Sequence, residues 1–300
     1  MTTNDTNTTD RHGIIVGVDG SDASQAALEW AAARTDQFGP VRPVHSWDYP
    51  ISVWAPSPFG PGMAPPANEM AAAAQEAADK LVADLGDDIP HEAPIVEHGD
   101  AGSVLVEAAR DAELLVVGTR GRGPVRANVI GSVARHCADH TPVPLVIVPH
   151  HDELVPAGPS ERIVVGVDGS DSSLAALRWA IENAPADATI SAISAWQTPV
   201  DGPILYGVNR FDLKALRAAA QATVNEAADR VCGELGVDGS RVIREIAEGD
   251  PRWVLLTQSE TADLLVLGQR GRTGLSHFFL GSTTTALVHR PHCPTAVIPG

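Results

Sequence analysis

The fold is decided by a stretch at residues 114–132, LLVVGTRGRGPVRANVIGS, which recurs at residues 264–282 as LLVLGQRGRTGLSHFFLGS. Each stretch opens with a short apolar run, which predicts a buried strand. The glycines that follow share the spacing G-x2-G-x9-G-S. A strand that ends in glycines and restarts as a helix presents backbone N–H groups to an anion. Glycines also form ordinary turns, but two copies at equal spacing favour a phosphate-binding loop.

An internal repeat extends the likeness to most of the chain. The segment IIVGVDGSD at residues 14–22 returns as IVVGVDGSD at residues 163–171. In each half, strand patterns alternate with helix patterns, which predicts right-handed βαβ crossovers and a parallel sheet with helices on both faces. We therefore predict an α/β protein of two tandem doubly wound domains, with a disordered tail at 1–12, domains at 13–149 and 162–300, and a linker at 150–161.

Turn residues and apolar patterns locate the elements of the first half. The predicted strands cover residues 14–18, 41–47, 92–97, 114–117 and 145–148. The predicted helices cover residues 22–35, 68–85, 101–111 and 131–140, and the second half follows the same order. Ligands of such sheets bind beyond the carboxyl ends of strands, where the winding direction reverses. Asp19 and Gly118 both lie at strand ends, so one ligand can contact both if the first and fourth strands are neighbours.

The charge of the chain narrows the class of partner. Its formal net charge is −17, which argues against a general nucleic-acid surface or an anionic membrane surface. Five arginines beside the glycine loops stand out against this acidic background: Arg120, Arg122, Arg126, Arg270 and Arg272. They suit a small anionic ligand, and ordinary solvated loop charge is the alternative.

Cysteine usage and hydropathy indicate the compartment. The chain has 3 cysteines and no CxxC pair, which is typical of reduced thiols in a cytoplasm. No run approaches the ~20 apolar residues of a membrane span, and residues 1–12 lack the apolar core of a secretory signal. We therefore predict a cytoplasmic protein without a membrane span.

Three residues on one predicted helix have spacing that would suit a metal. His136 and His140 lie four apart, with Cys137 between them, and such a pair can ligate zinc. No third ligand stands at a convenient position, and histidines near a helix end more often interact with the helix dipole. We predict no metal site here.

Three motifs carry a resemblance to a known family. They are V-G-V-D-G-S at each first strand, Gly-Asp at residues 99–100 and 249–250, and the glycine spacing, present twice. On these residues the chain resembles a tandem member of the universal stress protein family, in its ATP-binding branch, over residues 13–149 and 162–299. The resemblance implies a five-stranded parallel sheet of order 3-2-1-4-5 in each domain. It also implies that each domain binds ATP, with Mg²⁺.

The resemblance also implies roles for residues at matching positions. Asp19 and Asp168 would lie near the ribose, and Gly17 and Gly166 would allow close approach. Ser46 and Ala195 would flank adenine through their main chain. The residues implied to hold the ribose and phosphates, or to lie in the loop that folds over them, are Gly118, Thr119, Arg120, Gly121, Arg122, Gly123, Gly131, Ser132 and Val133 in the first domain, and Gly268, Gln269, Arg270, Gly271, Arg272, Gly274, Gly281, Ser282 and Thr283 in the second.

The two loops differ in a way that bears on affinity. The first loop has Gly123-Pro124 where the second has Thr273-Gly274. Proline lacks an N–H donor and stiffens its loop. Pro124 is therefore expected to weaken the first site or to change how it closes.

The sequence contains no recognisable catalytic motif. There is no Ser-His-Asp arrangement, no Walker lysine and no evident base for a water, so we predict a nucleotide-dependent stress-response regulator. A slow Mg-dependent ATPase and a structural dimer with vestigial pockets are the alternatives. The last strands, Leu145–Val148 and Thr295–Ile298, are apolar sheet edges whose pairing predicts a homodimer or an intramolecular domain pair. The protein partner is unknown.

Overall fold

A computed structural model of the chain describes residues 13–48, 66–86, 89–121, 130–150, 161–198, 212–271, 280–289 and 292–300. The chain divides into two compact units, the first ending at His150 and the second continuing to Gly300. Within each unit the strands pair in parallel, and helices pack against them. No helix in the described ranges is long and apolar enough to cross a membrane.

The first unit alternates strands and helices along the chain. Its elements are β1 (Ile14–Gly17), α1 (Asp22–Ala32), α2 (Thr35–Phe38), β2 (Val41–Trp47), α3 (Ala67–Ala83), β3 (Ile95–His98), α4 (Ala101–Ala108), β4 (Leu114–Gly118), α5 (Ser132–His140) and β5 (Leu145–Val148). All four strand pairings are parallel, in the order β3-β2-β1-β4-β5. Ile14 of β1 pairs with Val41 on one side and with Leu114 on the other.

The second unit repeats this plan. Its elements are β6 (Arg162–Gly166), α6 (Asp171–Asn183), β7 (Thr189–Trp196), α7 (Leu213–Leu235), a 3-10 turn (Gly239–Arg241), β8 (Val242–Glu248), α8 (Pro251–Ser259), β9 (Leu264–Gly268), α9 (Ser282–Val288) and β10 (Thr295–Ile298). Its strands pair in parallel in the order β8-β7-β6-β9-β10. The predicted fold class is confirmed, and so is the 3-2-1-4-5 order within each unit.

The central strands β1 and β4 and the last strand β5 are apolar throughout, as expected for strands that are covered on both faces. Ile14, Val116 and Ile147 of the first unit are completely buried. The helices that cover the strands bury mainly alanines, such as Ala27 and Ala31 of α1. Small side chains let a helix backbone lie close to the sheet, so a chain with few aromatic residues still packs densely.

Several element boundaries differ from the prediction by one to three residues. The helix expected to reach Thr35 ends at Ala32, and a separate turn of helix covers Thr35–Phe38 before Gly39 turns the chain at φ +88. The third strand was expected to begin at residue 92 but begins at Ile95. Pro94 precedes it and has no N–H for the ladder, which explains the later start.

The fold suppresses the reactivity of two buried cysteines. Burial raises the pKa of the Cys137 and Cys293 thiols from 9.0 to about 12, because desolvation disfavours the thiolate. At about pH 8 we expect a disulfide reagent to label both slowly in native protein and rapidly in denaturant. The folded state keeps these protons after the unfolded state releases them, so stability should fall as the pH rises from about 9 toward 12. Immediate labelling of native protein would contradict this.

Candidate functional site

A cavity lies at the carboxyl ends of the central strands of the first unit. β1 sits between β2 and β4, so the winding direction of the chain reverses there. The cavity has a volume of about 290 Å³. Its lining residues are Gly17, Val18, Asp19, Ser24, Val44, Ser46, Ala101, Leu105, Val117, Gly118, Thr119, Arg120, Gly121, Gly131, Ser132, Val133 and Ala134.

The structure brings the predicted residues of the first domain together. Every one that falls in the described ranges lines this cavity. Arg122 and Gly123 lie outside the described residues, as do Pro124 and Arg126.

Asp19 is held rigidly beside the glycine loop. Its Oδ1 accepts hydrogen bonds from the Ser21 backbone N–H at 3.0 Å and from Ser21 Oγ at 2.6 Å. Its Oδ2 faces Gly121, where a Cβ would collide with it. Ser21 Oγ also lies 3.3 Å from the carbonyl oxygen of Arg120. One carboxylate oxygen therefore orders the turn after β1, and the other lies against the glycine loop.

The glycines of the first motif are required for different reasons. None of Gly118, Gly121 and Gly131 has a positive φ, so left-handed turn geometry does not explain them. A Cβ on Gly118 would lie 2.5 Å from the carbonyl oxygen of Ala23 in α1, so close packing excludes a side chain there. A Cβ on Gly131 would have its nearest contact at 3.4 Å, with Thr119 O. The protein's own packing leaves room at Gly131, which suits a site that must admit a ligand.

The N-terminus of α5 lacks a side-chain cap. The first turn of any α-helix has N–H groups without intrahelical partners. In α1 and α4 the side chains of Ser21 and Asp100 accept from such groups. Gly131 is the N-cap of α5 and makes no side-chain capping hydrogen bond. The residues that follow it line the cavity, so the N–H donors of the first turn and the positive end of the helix dipole face this space.

Two charged residues of opposite sign line the cavity. They are Asp19 and Arg120, the charged members of the described lining. The Arg120 Nε atom is buried and has no hydrogen-bond partner. A buried donor of this kind is costly unless a ligand satisfies it.

The remaining walls of the cavity are mostly apolar. Val18, Val44 and Leu105 are all buried, and a Cβ on Gly17 would lie 2.9 Å from Leu105 Cδ1. Ser46 Oγ donates to the carbonyl oxygen of Gly99 at 2.6 Å. This bond ties the end of β2 to the turn that starts α4.

Sequence reasoning did not identify part of this lining. The residues it missed are Val18, Ser24, Val44, Ala101, Leu105, Val117 and Ala134. Alternation along the strands could have found some of them, because residues two apart face the same side of a sheet. Val44 stands two before Ser46, and Val117 two before Thr119.

The second unit places the matching residues in the same relations. Asp168 Oδ1 accepts from the Ser170 backbone N–H at 3.0 Å and from Ser170 Oγ at 2.6 Å. A Cβ on Gly271 would lie 2.8 Å from Asp168 Oδ2, and one on Gly268 would lie 2.6 Å from the carbonyl carbon of Ser172.

The other predicted residues of the second domain follow the first. Gly281 is the N-cap of α9 without a side-chain capping bond, and Ser282 and Thr283 begin that helix. Gly166 and Ala195 lie at the ends of β6 and β7. Gln269 and Arg270 directly follow β9. Arg272 and Gly274 lie outside the described residues.

The histidines of α5 pair with each other. The His136 and His140 rings stack with centroids 4.4 Å apart, and His140 Nδ1 lies 2.9 Å from the His136 carbonyl oxygen. Within the described ranges, no group of three or more His, Cys, Asp or Glu residues is placed to hold a metal ion.

Known proteins resemble the chain over almost its whole length. Universal stress protein Rv2005c of Mycobacterium tuberculosis is 27% identical over 299 residues, covering 96% of this chain and 97% of its own. Universal stress protein Rv2623 of the same organism is 29% identical over 290 residues, covering 95% of each chain. A crystal structure of a universal stress protein from Archaeoglobus fulgidus matches the fold with a TM-score of 0.64 at 18% identity, covering 95% of this chain and 97% of that one.

A family model settles the relationship. The model described as the universal stress protein family matches residues 11–149 and again residues 159–299. The two matches together span most of the chain, one in each half. The chain therefore belongs to the universal stress protein family.

Proposed function

We propose that the chain is an ATP-binding regulator of the stress response, with one nucleotide site in each unit. The observation that carries the proposal is the uncapped N-terminus of α5, which faces a cavity that also holds Asp19. The phosphates would bind the N–H groups at Ser132 and Val133, where the helix dipole favours an anion.

The charges of the cavity orient the nucleotide. The Asp19 carboxylate would repel phosphate but accepts hydrogen bonds well, so it suits the ribose hydroxyls. Arg120 supports the phosphate end, because its positive charge and its buried, unpartnered Nε favour an anion. Mg²⁺ would neutralise part of the charge of the triphosphate.

The apolar part of the cavity suits a nucleobase. Val18, Val44 and Leu105 offer buried aliphatic surface on which a flat ring can lie. Ser46 stands at the end of β2, beside the point where β1 leaves the sheet. Its main-chain groups are placed to recognise the edge of adenine. Pockets of this kind combine apolar walls with a few polar groups that fix the ligand.

Regulation would follow from a difference in affinity between two conformations. A nucleotide that binds the closed glycine loop more tightly shifts the population toward that state. We propose that a protein partner recognises the surface so formed.

The direct test identifies the ligand that the protein retains. Protein purified from its host is denatured, and the released small molecules are measured by mass spectrometry. ATP supports the proposal. ADP that accumulates during incubation with Mg²⁺ indicates the slow ATPase instead. If no nucleotide is released and added ATP does not bind, the remaining alternative is a structural dimer with vestigial pockets.

Asp19→Asn should weaken ATP binding at the first site by about tenfold or more. Asparagine keeps the Oδ1 acceptor for Ser21 but removes the charge from the second oxygen, and hydrogen bonds to charged groups contribute about 1.5–3 kcal/mol. Calorimetric titration with ATP measures the loss, and thermal unfolding checks that the turn is intact. Asp168→Asn is the matched control in the second unit. Unchanged ATP affinity in both variants would place the ribose elsewhere.

A further inference from the structure

We infer that the two nucleotide sites are unequal: the first unit binds ATP tightly, and the second binds it weakly because larger side chains fill its cavity. This inference rests on the proposed function and adds to it a difference in ATP affinity between the two units. The two units have the same strand order and the same Asp-to-glycine contact. The two units differ in the side chains that surround this shared backbone arrangement.

The second unit carries heavier residues at the positions that line the first cavity. Ile193, Pro251, Leu267, Gln269 and Thr284 stand where the first unit has Val44, Ala101, Val117, Thr119 and Ala134. One exchange goes the other way, with Ala195 in place of Ser46. The net difference is several additional heavy atoms in the lining of the second site.

The added atoms of Leu267 and Gln269 lie in the interior of the unit and not in solvent. Gln269 is 5% exposed and Thr119 is 7% exposed, although glutamine is the longer side chain. Leu267 and Val117 are each 3% exposed. Equal burial of a larger side chain means that the extra volume is taken from the interior.

The apolar side chains at the second site pack against one another. Ile193, Leu255 and Leu267 belong to one buried cluster. A Cβ on Gly166 would lie 2.9 Å from Leu255 Cδ1 and 3.1 Å from Leu267 Cδ2. Their counterparts in the first unit line the cavity of about 290 Å³. The added atoms together occupy on the order of 100 Å³ at protein packing density, a large share of such a space.

The polar exchanges add a hydrogen bond at the end of β9. Thr284 Oγ1 donates to the carbonyl oxygen of Gly268 at 2.8 Å, a bond that Ala134 cannot make in the first unit. The carbonyl oxygen of Arg270 accepts from Ser172 Oγ, whereas the carbonyl oxygen of Arg120 accepts from Ser21 Oγ at 3.3 Å. Side chains of α6 and α9 thus both hold the end of β9.

The test is calorimetric titration of the full chain with ATP. We expect one tight event per chain and a second event at least about tenfold weaker, because a single excess methylene in a pocket already costs 10-fold or more. Asp19→Asn should weaken the tight event by about tenfold or more, and Asp168→Asn should leave it unchanged. Two events of equal affinity, or a tight event lost only in Asp168→Asn, would overturn the inference.

Substituting lining residues of one unit by their counterparts in the other gives a matched pair of variants. The triple variant Leu267→Val, Gln269→Thr and Thr284→Ala should strengthen the weak event toward the affinity of the first site. The reciprocal variant Val117→Leu, Thr119→Gln and Ala134→Thr should weaken the tight one. Each introduced residue already occurs at the same position in the other half, and circular dichroism confirms folding. Unchanged affinities in both folded variants would refute the inference, whereas absence of any ATP binding in the unaltered chain would refute the proposed function itself.

Discussion

Gly118→Ala is expected to lower the free energy of unfolding by about 3 kcal/mol, at the upper end of the usual cost of overpacking. The added Cβ would lie 2.5 Å from the carbonyl oxygen of Ala23 and 2.6 Å from its carbonyl carbon. Both are backbone atoms, so no side-chain rotation relieves the collision. The end of β4 and the start of α1 would have to separate, although both belong to the buried core of the unit. Urea unfolding followed by circular dichroism measures the change.

The control for Gly118→Ala is Gly131→Ala, the same substitution at another glycine of the same motif. A Cβ on Gly131 has no contact closer than 3.4 Å, and Gly131 has φ −68 and ψ 159, which alanine adopts without strain. Gly131→Ala should therefore change stability by less than about 1 kcal/mol. Equal stability of the two variants would show that β4 and α1 are less closely packed than described. Loss of nucleotide binding in Gly118→Ala would therefore not test the site by itself, because the same substitution displaces the end of β4 and lowers stability.

Gly131→Ser is expected to leave stability unchanged within about 0.5 kcal/mol and to weaken ATP binding by at least about tenfold. Serine is a strong N-cap, and the backbone at Gly131 is extended as a cap requires. Its hydroxyl oxygen would accept from the first-turn N–H groups, as Ser21 Oγ accepts from Ser24 N in α1 at 3.3 Å. The hydroxyl would then compete with phosphate for the donors on which the proposed site depends.

Two further measurements make the Gly131→Ser result specific. Gly131→Ala adds the Cβ without the oxygen, so a larger loss in the serine variant isolates competition for the donors. Asp100 caps α4 through the Ser103 N–H at 2.9 Å, and Asp100→Gly should reduce stability without abolishing ATP binding. ATP affinity equal to that of the unaltered chain in Gly131→Ser would exclude the N-terminus of α5 as the phosphate site.

The sequence alone determined the architecture because hydrophobic periodicity and repetition act over the whole chain. Apolar runs such as Leu114–Gly118 had to be strands of a sheet covered on both faces, and two copies of the pattern implied two units. The spacing of the motif predicted a ligand site at strand ends, and the described members of the predicted first site lie around one cavity there. Element ends were less certain, because caps and single prolines decide them locally.

The cause of each motif glycine became known only from the structure. In sequence, Gly118 and Gly131 are equal members of one motif. In three dimensions a Cβ on Gly118 would collide with the backbone of Ala23, whereas a Cβ on Gly131 would have its nearest contact at 3.4 Å. Gly131 also begins a helix without a side-chain cap. Contacts of this kind join segments far apart in the chain, and a pattern of neighbours cannot encode them.

The proposed inequality of the two sites has the same origin. The sequence predicts that Pro124, in the first loop, distinguishes them, and this residue lies outside the described residues. The structure adds Ile193 and Leu267, which lie far apart in the second unit's chain but belong to one buried cluster. Sequence indicated two candidate sites, because motif and repeat are local patterns. Tertiary structure decided which distant side chains meet around each set of motif residues, because packing joins segments that are far apart in the chain.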